Sequence, residues 1–273
     1  MKLQRLLAVG ALGLASTLLV APAAMAADNE ATVSVLHAIP DATVDVYANG
    51  TILLDDFAPG TLTDPLMLPA GDYDLKVVAS DAADANADAI VEANGVTVPG
   101  GANITVVANL TADGTPALNA FVNDTSASKE GGRITVRHVA AAPAVDVRAG
   151  GTAVISGLEN PKEAMLNIAA GTLNVDVVAA GTDTVVLGPA DVTVEDGKNL
   201  IVYAWGSLEG ENLALATQSV DLMTADGGAT PGMPSTGAEG PGSSAGITAA
   251  LFGALAIAGT AVIVTRRKAS VQA

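Results

Sequence analysis

The sequence predicts an all-β fold, and three observations carry that prediction. From Thr32 onward the chain is a series of short runs rich in Val, Ile and Thr, set apart by Gly, Pro, Asn and Asp, which is the punctuation of strands and turns. One unit of that text occurs twice. Between Thr32 and the C-terminal apolar run no stretch shows the 3.6-residue apolar period of a long helix.

Taken in order, the first strands expected are Val33–Ala38, Val44–Tyr47, Tyr73–Val78, Ile90–Val98 and Ile104–Ala108, with Asn49-Gly50 and Pro69-Ala-Gly71 as turns. Asp81 to Asp88 is an Ala/Asp stretch that reads as a loop or one helical turn. The text then repeats. Val33-Ser-Val-Leu-His37 and Val44-Asp-Val46 return as Ile134-Thr-Val-Arg-His138 and Val145-Asp-Val147 at an ungapped offset of 101. Pro69 to Ala79 is matched by Ala169 to Ala179, with Gly71 on Gly171, and Val96-Thr-Val98 by Val192-Thr-Val194. Self-similarity over such a period means two copies of one unit. About seven short strands in each copy have the size and spacing of an immunoglobulin-like β-sandwich. The expected domains are therefore repeat 1 at 27–125, a polar linker at 126–132 and repeat 2 at 133–223. A linker that short lets the two sandwiches sit end to end.

The two ends speak of export. Lys2 and Arg5 precede an apolar run from Leu6 to Val20, and Ala24-Met25-Ala26 gives a signal-peptidase pattern before Ala27. Residues 1–26 are expected to be a cleaved signal peptide. At the other end residues 224–246 form a stalk rich in Gly, Pro and Ser, expected to be flexible. Residues 247–265 follow without a charge, long enough to cross a bilayer as a helix. The tail 266–273 opens with Arg266-Arg267-Lys268, cations that stay on the cytoplasmic side. Within the stalk stands Met233-Pro234-Ser235-Thr236-Gly237. This order resembles the Leu-Pro-x-Thr-Gly cell-wall sorting signals of Gram-positive bacteria, with Met in place of Leu. The resemblance implies a sortase that cuts between Thr236 and Gly237 and joins Thr236 to peptidoglycan. A single-pass membrane protein that is never cut is the plainer alternative.

The repeated residues carry a second resemblance. His37-Ala-Ile-Pro-Asp-Ala-Thr-Val-Asp-Val-Tyr-Ala-Asn-Gly50, followed by Leu68-Pro-Ala-Gly-Asp-Tyr73, is similar to the bacterial family catalogued as domain of unknown function 4397. Its members carry His-Ala-Ser-Pro-Asp-Ala and Pro-Ala-Gly-x-Tyr motifs on secreted or surface-anchored chains. In the second copy His138-Val-Ala-Ala-Ala-Pro143 lacks the Asp that Asp41 supplies in the first. The family implies architecture and location and no activity.

Between Ala27 and Thr236 there are 28 Asp and Glu against 7 Lys and Arg, a surface that repels nucleic acid and anionic lipid. There is no cysteine, so disulfides, thiolate metal sites and thiol nucleophiles are excluded together. His37 and His138 alternate with apolar residues of their strands, which puts each ring on the core face. They are expected to be buried with both nitrogens bonded to turn backbone. Asp45 and Asp146 lie on the opposite face, and Asp41 follows Pro40 in a turn. All five read as structural motif residues, and no catalytic set, metal site or cofactor is expected. Asp55-Asp56, Asp72 with Asp74, and the Asp81 to Asp88 loop offer oxygen ligands for calcium without the spacing of a calcium loop. Sugar binding relies on exposed aromatics, and Tyr73, Tyr203 and Trp205 fall in strand-like segments where packing is the expected use.

The functional expectation is a non-enzymatic protein displayed on a Gram-positive cell wall, with a spacer or adhesion role. Its partners are a sortase, peptidoglycan and, before cleavage, the membrane. The alternative is an extracellular module that binds calcium, a glycan or a wall polymer.

Overall fold

The computed structural model describes residues 29–82 and 84–224. The signal segment 1–26, the sorting pentapeptide Met233–Gly237, the apolar run 247–265 and the basic tail lie outside the described residues, as does all of the stalk but its first residue. Among the described residues no helix is long and apolar enough to cross a membrane.

The described chain is all-β. In the first copy β1 (Glu30–Ala38), β4 (Leu66–Pro69), β7 (Asn103–Leu110) and β8 (Pro116–Val122) form one sheet in the order β4-β1-β7-β8. The second sheet, β3-β2-β5-β6, holds β2 (Val44–Ala48), β3 (Thr51–Phe57), β5 (Gly71–Ala79) and β6 (Val91–Val98). The second copy repeats this strand for strand. Its β9 (Gly132–His138), β12 (Glu163–Ile168), β15 (Lys198–Trp205) and β16 (Ala214–Asp221) form β12-β9-β15-β16. Its β10 (Val145–Ala149), β11 (Thr152–Leu158), β13 (Gly171–Ala179) and β14 (Val185–Val194) form β11-β10-β13-β14.

Eight strands per copy replace the seven expected. Two strands that the named runs of the first copy leave out are weakly written: β4 has four residues and ends in Pro69, and β3 ends in Asp55-Asp56-Phe57. The segment 81–88 contains turns and bends among its described residues. In the immunoglobulin constant arrangement the first two strands share a sheet, whereas here β1 and β2 belong to different sheets.

The copies do not sit end to end. Leu36, Ala38 and Val107 of the first copy form one buried cluster with Val139, Ile201, Tyr203, Ala216 and Val220 of the second. The sheet containing β1 thus packs face to face on the sheet containing β9, and the molecule is a stack of four sheets. Strands β1 and β7 pair in parallel, as do β9 and β15. Parallel strands are stable where both faces are covered, and both faces of these strands are. On β1, Val33 and Val35 enter the cores of the first sandwich while Leu36 and Ala38 enter the seam between copies. Burying Leu36 alone contributes about 2 kcal/mol.

Direction fixes what lies at each end. Met223 N–H donates to Thr125 O at 2.7 Å, Leu222 N–H to Gly197 O and Asn123 N–H to Asn103 O. The starts of β7 and β15, the inter-copy segment and the exit at Thr224 therefore share one end, and the start of β1 joins them through Thr32 N–H on Ala102 O. The loops that follow β1, β7, β9 and β15 share the other end, which carries the motif residues after both histidines.

Candidate functional site

The motif histidines occupy matching places one residue before, or at, the end of β1 and β9, and both are fully buried. His37 Nε2 donates to Ala42 O at 2.7 Å. A carbonyl only accepts, so the proton is on Nε2 and Nδ1 is a bare acceptor, for which no partner is present. Its ring stacks on Phe57 with centroids 5.8 Å apart. His138 Nε2 donates to Pro143 O at 3.0 Å, and its Nδ1 accepts from Ala140 N–H at 3.4 Å. Burial lowers the pKa of both imidazoles, partly offset by the bond to the turn carbonyl. Neutral, enclosed rings tied to turns are suited to shaping the loop after each strand.

Asp45 and Asp146 follow one residue into β2 and β10. Asp146 accepts from Gly157 N–H at 2.7 Å and Gly181 N–H at 2.9 Å, bonds that lower its pKa, with Gly181 the larger cause. It pins the bulge of β11 and the loop after β13 to β10. Asp45 accepts from Asp56 N–H at 2.9 Å in the same way, but it is buried and has company. Oxygens of Asp45, Asp55 and Asp56 all lie within 4.8 Å of one another. Asp55 is pushed to a raised pKa, first by the charge of Asp45 and then by its own desolvation and Asp56. At the equivalent places the second copy has Ser156 and Gly157. The sequence separates Asp45, read as a structural motif residue, from Asp55-Asp56, candidate calcium ligands, and the bulge brings the three together. Asp56 holds this bulge at φ 50, where its counterpart Gly157 has φ 64 and no side chain to strain.

Asp41 sits at φ 64 after Pro40, exposed, and its Oδ2 accepts from Asn212 Nδ2 of the second copy at 3.3 Å. Of the other acidic candidates, Asp72 accepts from Thr97 Oγ1 and Asp74 from Gly95 N–H, cross-strand ties on an exposed face.

The seam holds residues that sequence reading passes over. Arg137 is 1% exposed and bonds Glu163 Oε2 at 2.8 Å and the Tyr203 hydroxyl at 2.8 Å. Its guanidinium lies 4.5 Å from the centre of the Phe121 ring of the first copy, a cation–π contact across the seam. Tyr203 O–H donates to Gln218 Oε1, which also accepts from Thr105 Oγ1 of the first copy at 2.8 Å. Arg133, buried, grips the inter-copy segment through Asp124 and Ser126. A signal existed: Arg133 and Arg137 stand where the first copy has Thr32 and Leu36, a charge introduced into a strand whose twin is buried.

A family model, the domain of unknown function DUF4397, matches residues 31–148 and again residues 138–230. No curated protein matches the chain. The two matches together span most of the sequence, the first running from β1 into β10 and the second from the end of β9 past β16, so the chain belongs to the DUF4397 family.

Proposed function

We propose that this is a non-enzymatic protein of the Gram-positive cell surface, exported by residues 1–26 and joined to peptidoglycan through Thr236. Its work is to hold a rigid, acidic body away from the wall, as a spacer or adhesion element. The observation that carries the reading is the order Met233–Gly237, then 247–265 without a charge, then Arg266-Arg267-Lys268. A sortase needs an extended, accessible pentapeptide, and Pro234 turns Met233 away from helix. The reading is supported by the body itself: its two imidazoles, the obvious general bases, are buried and tied to turn carbonyls.

Mass spectrometry of the protein released by wall-digesting enzyme tests the anchor. The expected product ends at Thr236 with a peptidoglycan fragment on its carboxyl, and Thr236→Ala shifts the protein from wall to membrane. Recovery of an intact C-terminus through Ala273 from the detergent-soluble fraction overturns the sorting reading and leaves a single-pass membrane protein. A second reading, calcium binding, is favoured by the convergence of Asp45, Asp55 and Asp56. Calorimetric titration of residues 27–236 with calcium separates it from the first.

A further inference from the structure

The two ends of the stack are fastened unequally. At the exit end buried Arg133 pairs with Asp124, Asn199 Nδ2 donates to Asp124 O at 3.2 Å, and Met223 N–H donates to Thr125 O at 2.7 Å, so the inter-copy segment is tied to the second copy. The loop end is less well satisfied. Three buried side-chain atoms among the described residues have no hydrogen-bond partner, His37 Nδ1, Asn160 Oδ1 and Trp205 Nε1, and all three belong to that end. Each is costly to keep from water.

Asn160 and Asn212 join the copies at the loop end. Asn160 Nδ2 donates to Leu110 O of the first copy at 2.8 Å and to Ala140 O of the second at 2.5 Å, and Asn212 Nδ2 donates to Asp41 Oδ2 across an exposed 3.3 Å. Ala140 is also bonded to a titratable group. Its N–H donates to His138 Nδ1 at 3.4 Å, while His138 Nε2 donates to Pro143 O. A chain of hydrogen bonds thus runs from His138 through Ala140 and Asn160 to Leu110 of the first copy. It holds only while the ring is neutral, because a second proton has one place to go, Nδ1, and there it sets N–H against N–H.

We propose that the loop end of the seam is an acid-operated joint: protonation of His138 turns Ala140 away, Asn160 releases Leu110, and the copies part there while the exit end stays shut. The closed form holds the ring buried and neutral and the open form lets it take a proton, so acid favours opening. Burial is the main cause that keeps the ring neutral, the carbonyls of Pro143 and Ala142 oppose it, and no charged side chain contributes. The charged and titratable groups of the surrounding elements are engaged elsewhere. Glu163 is bonded to Arg137, Tyr203 to Gln218, Asp146 to the Gly157 and Gly181 amides, Arg148 to Asp176 and Asp183, and Asp191 to Asn174, while Glu159 and Lys162 are exposed. Opening also lets water reach Asn160 Oδ1 and Trp205 Nε1. His37 Nδ1 bonds no N–H, so the clash belongs to the second copy. The joint does not depend on the anchor at Thr236.

Trp205, the chain's single tryptophan, reports on this end, because its ring rests on Gly60 of the first copy so closely that a Cβ there would stand 2.7 Å from it. The turn that carries Ala140 is bonded on either side of it, Val139 N–H to Ala204 O and Ala141 N–H to Gly206 O. Purified residues 27–236 are followed by tryptophan emission and acrylamide quenching from pH 7.5 to pH 4.5, with circular dichroism reading the strands. On acidification the emission should move to the red and the quenching constant at least double while the strand signal stays. His138→Gln, which keeps a donor for Pro143 O and takes up no proton, should hold the neutral values throughout, and Asn160→Ala should show the raised quenching already at pH 7.5. Unchanged quenching down to pH 4.5, an equal change in His138→Gln, or a change that comes only with loss of the strand signal overturns the proposal. If His138→Gln does not fold, Asn160→Ala decides, and quenching equal to the parent's at pH 7.5 overturns it.

Discussion

The two copies share every strand and both sheet orders, yet they are charged differently. Residues 27–125 contain fifteen acidic side chains and one basic, Lys76, whereas residues 133–223 contain eleven acidic and five basic. Every ion pair among the described residues takes its cation from the second copy. Arg133 clamps the inter-copy segment, Arg137 fills the seam, and Arg148 makes a two-pronged pair with Asp176 on the outermost sheet. Their counterparts in the first copy are Thr32, Leu36 and Tyr47. The fold is thus carried by alternation of apolar residues and by Asp45 or Asp146 pinning a bulge, which both copies keep. Charge is free to diverge. The second copy has taken on the joining, and the first has become the acidic face.

The comparison breaks most readily at Arg137. Replacing it with Ala takes the cation from Glu163 and Phe121 and leaves the Tyr203 hydroxyl with Gln218 alone, a loss expected to cost about 3 kcal/mol. Urea unfolding of residues 27–236 reads it. Because Leu36, Val107 and Tyr203 share one cluster, the parent should unfold in a single transition, and residues 27–125 alone should be less stable and self-associate through the exposed seam face. Two well-separated transitions in the parent would mean that each copy is its own unit and the seam is incidental.

Next in size are the histidines, equal in sequence and unequal in bonding. His138→Ala orphans Pro143 O and Ala140 N–H, and His37→Ala orphans Ala42 O alone. Both should lower stability by about 1–3 kcal/mol, His138 more than His37. The pH sign follows from their lowered pKa values. Each imidazole is held neutral when folded and protonates freely when unfolded, so its contribution is complete above the ordinary value of 6.5 and drains away as pH falls from there toward the lowered folded value. Melting temperatures between pH 8 and pH 5 should decline, and less steeply in the double Ala variant.

Much of the frame was legible because strands announce themselves by period. The repeat at offset 101 and the alternation around His37 state which residues face a core. What alternation cannot state is what covers the other face. Leu36 and Ala38 read as the outward side of β1, and only their apolar character, set beside Ser34, hints that a second sheet lies there. The trio at Asp45 escaped for a different reason: it depends on a bulge that turns Asp55 and Asp56 back toward β2, and a one-residue bulge is a backbone event with no fixed sequence mark. Gly157 in the twin position is the nearest thing to one. Trp205 was read as a packing residue, and its ring does pack. The unpaired N–H became visible only with the ring enclosed against Gly60.

The smallest effect bears most directly on the acidic divergence. Changing Asp55 to Ser, the residue the second copy carries there, removes a carboxylate that Asp45 and Asp56 hold at a raised pKa. A group with a raised folded pKa contributes stability only while protonated, below its ordinary value of 3.8, and that contribution is gone once pH passes the raised folded value. At pH 7 the charged Asp55 therefore opposes folding, and Asp55→Ser should raise the melting temperature slightly. The gain should vanish as pH falls toward 3.8, where Asp55 regains its proton. Calcium decides what the cost is for. If millimolar calcium raises the melting temperature of the parent and leaves Asp55→Ser unmoved, the trio is a cation site and the first copy's extra acids serve it. If calcium moves both equally, the charge repulsion is uncompensated, and the acidic face serves solubility at the surface rather than a bound ion.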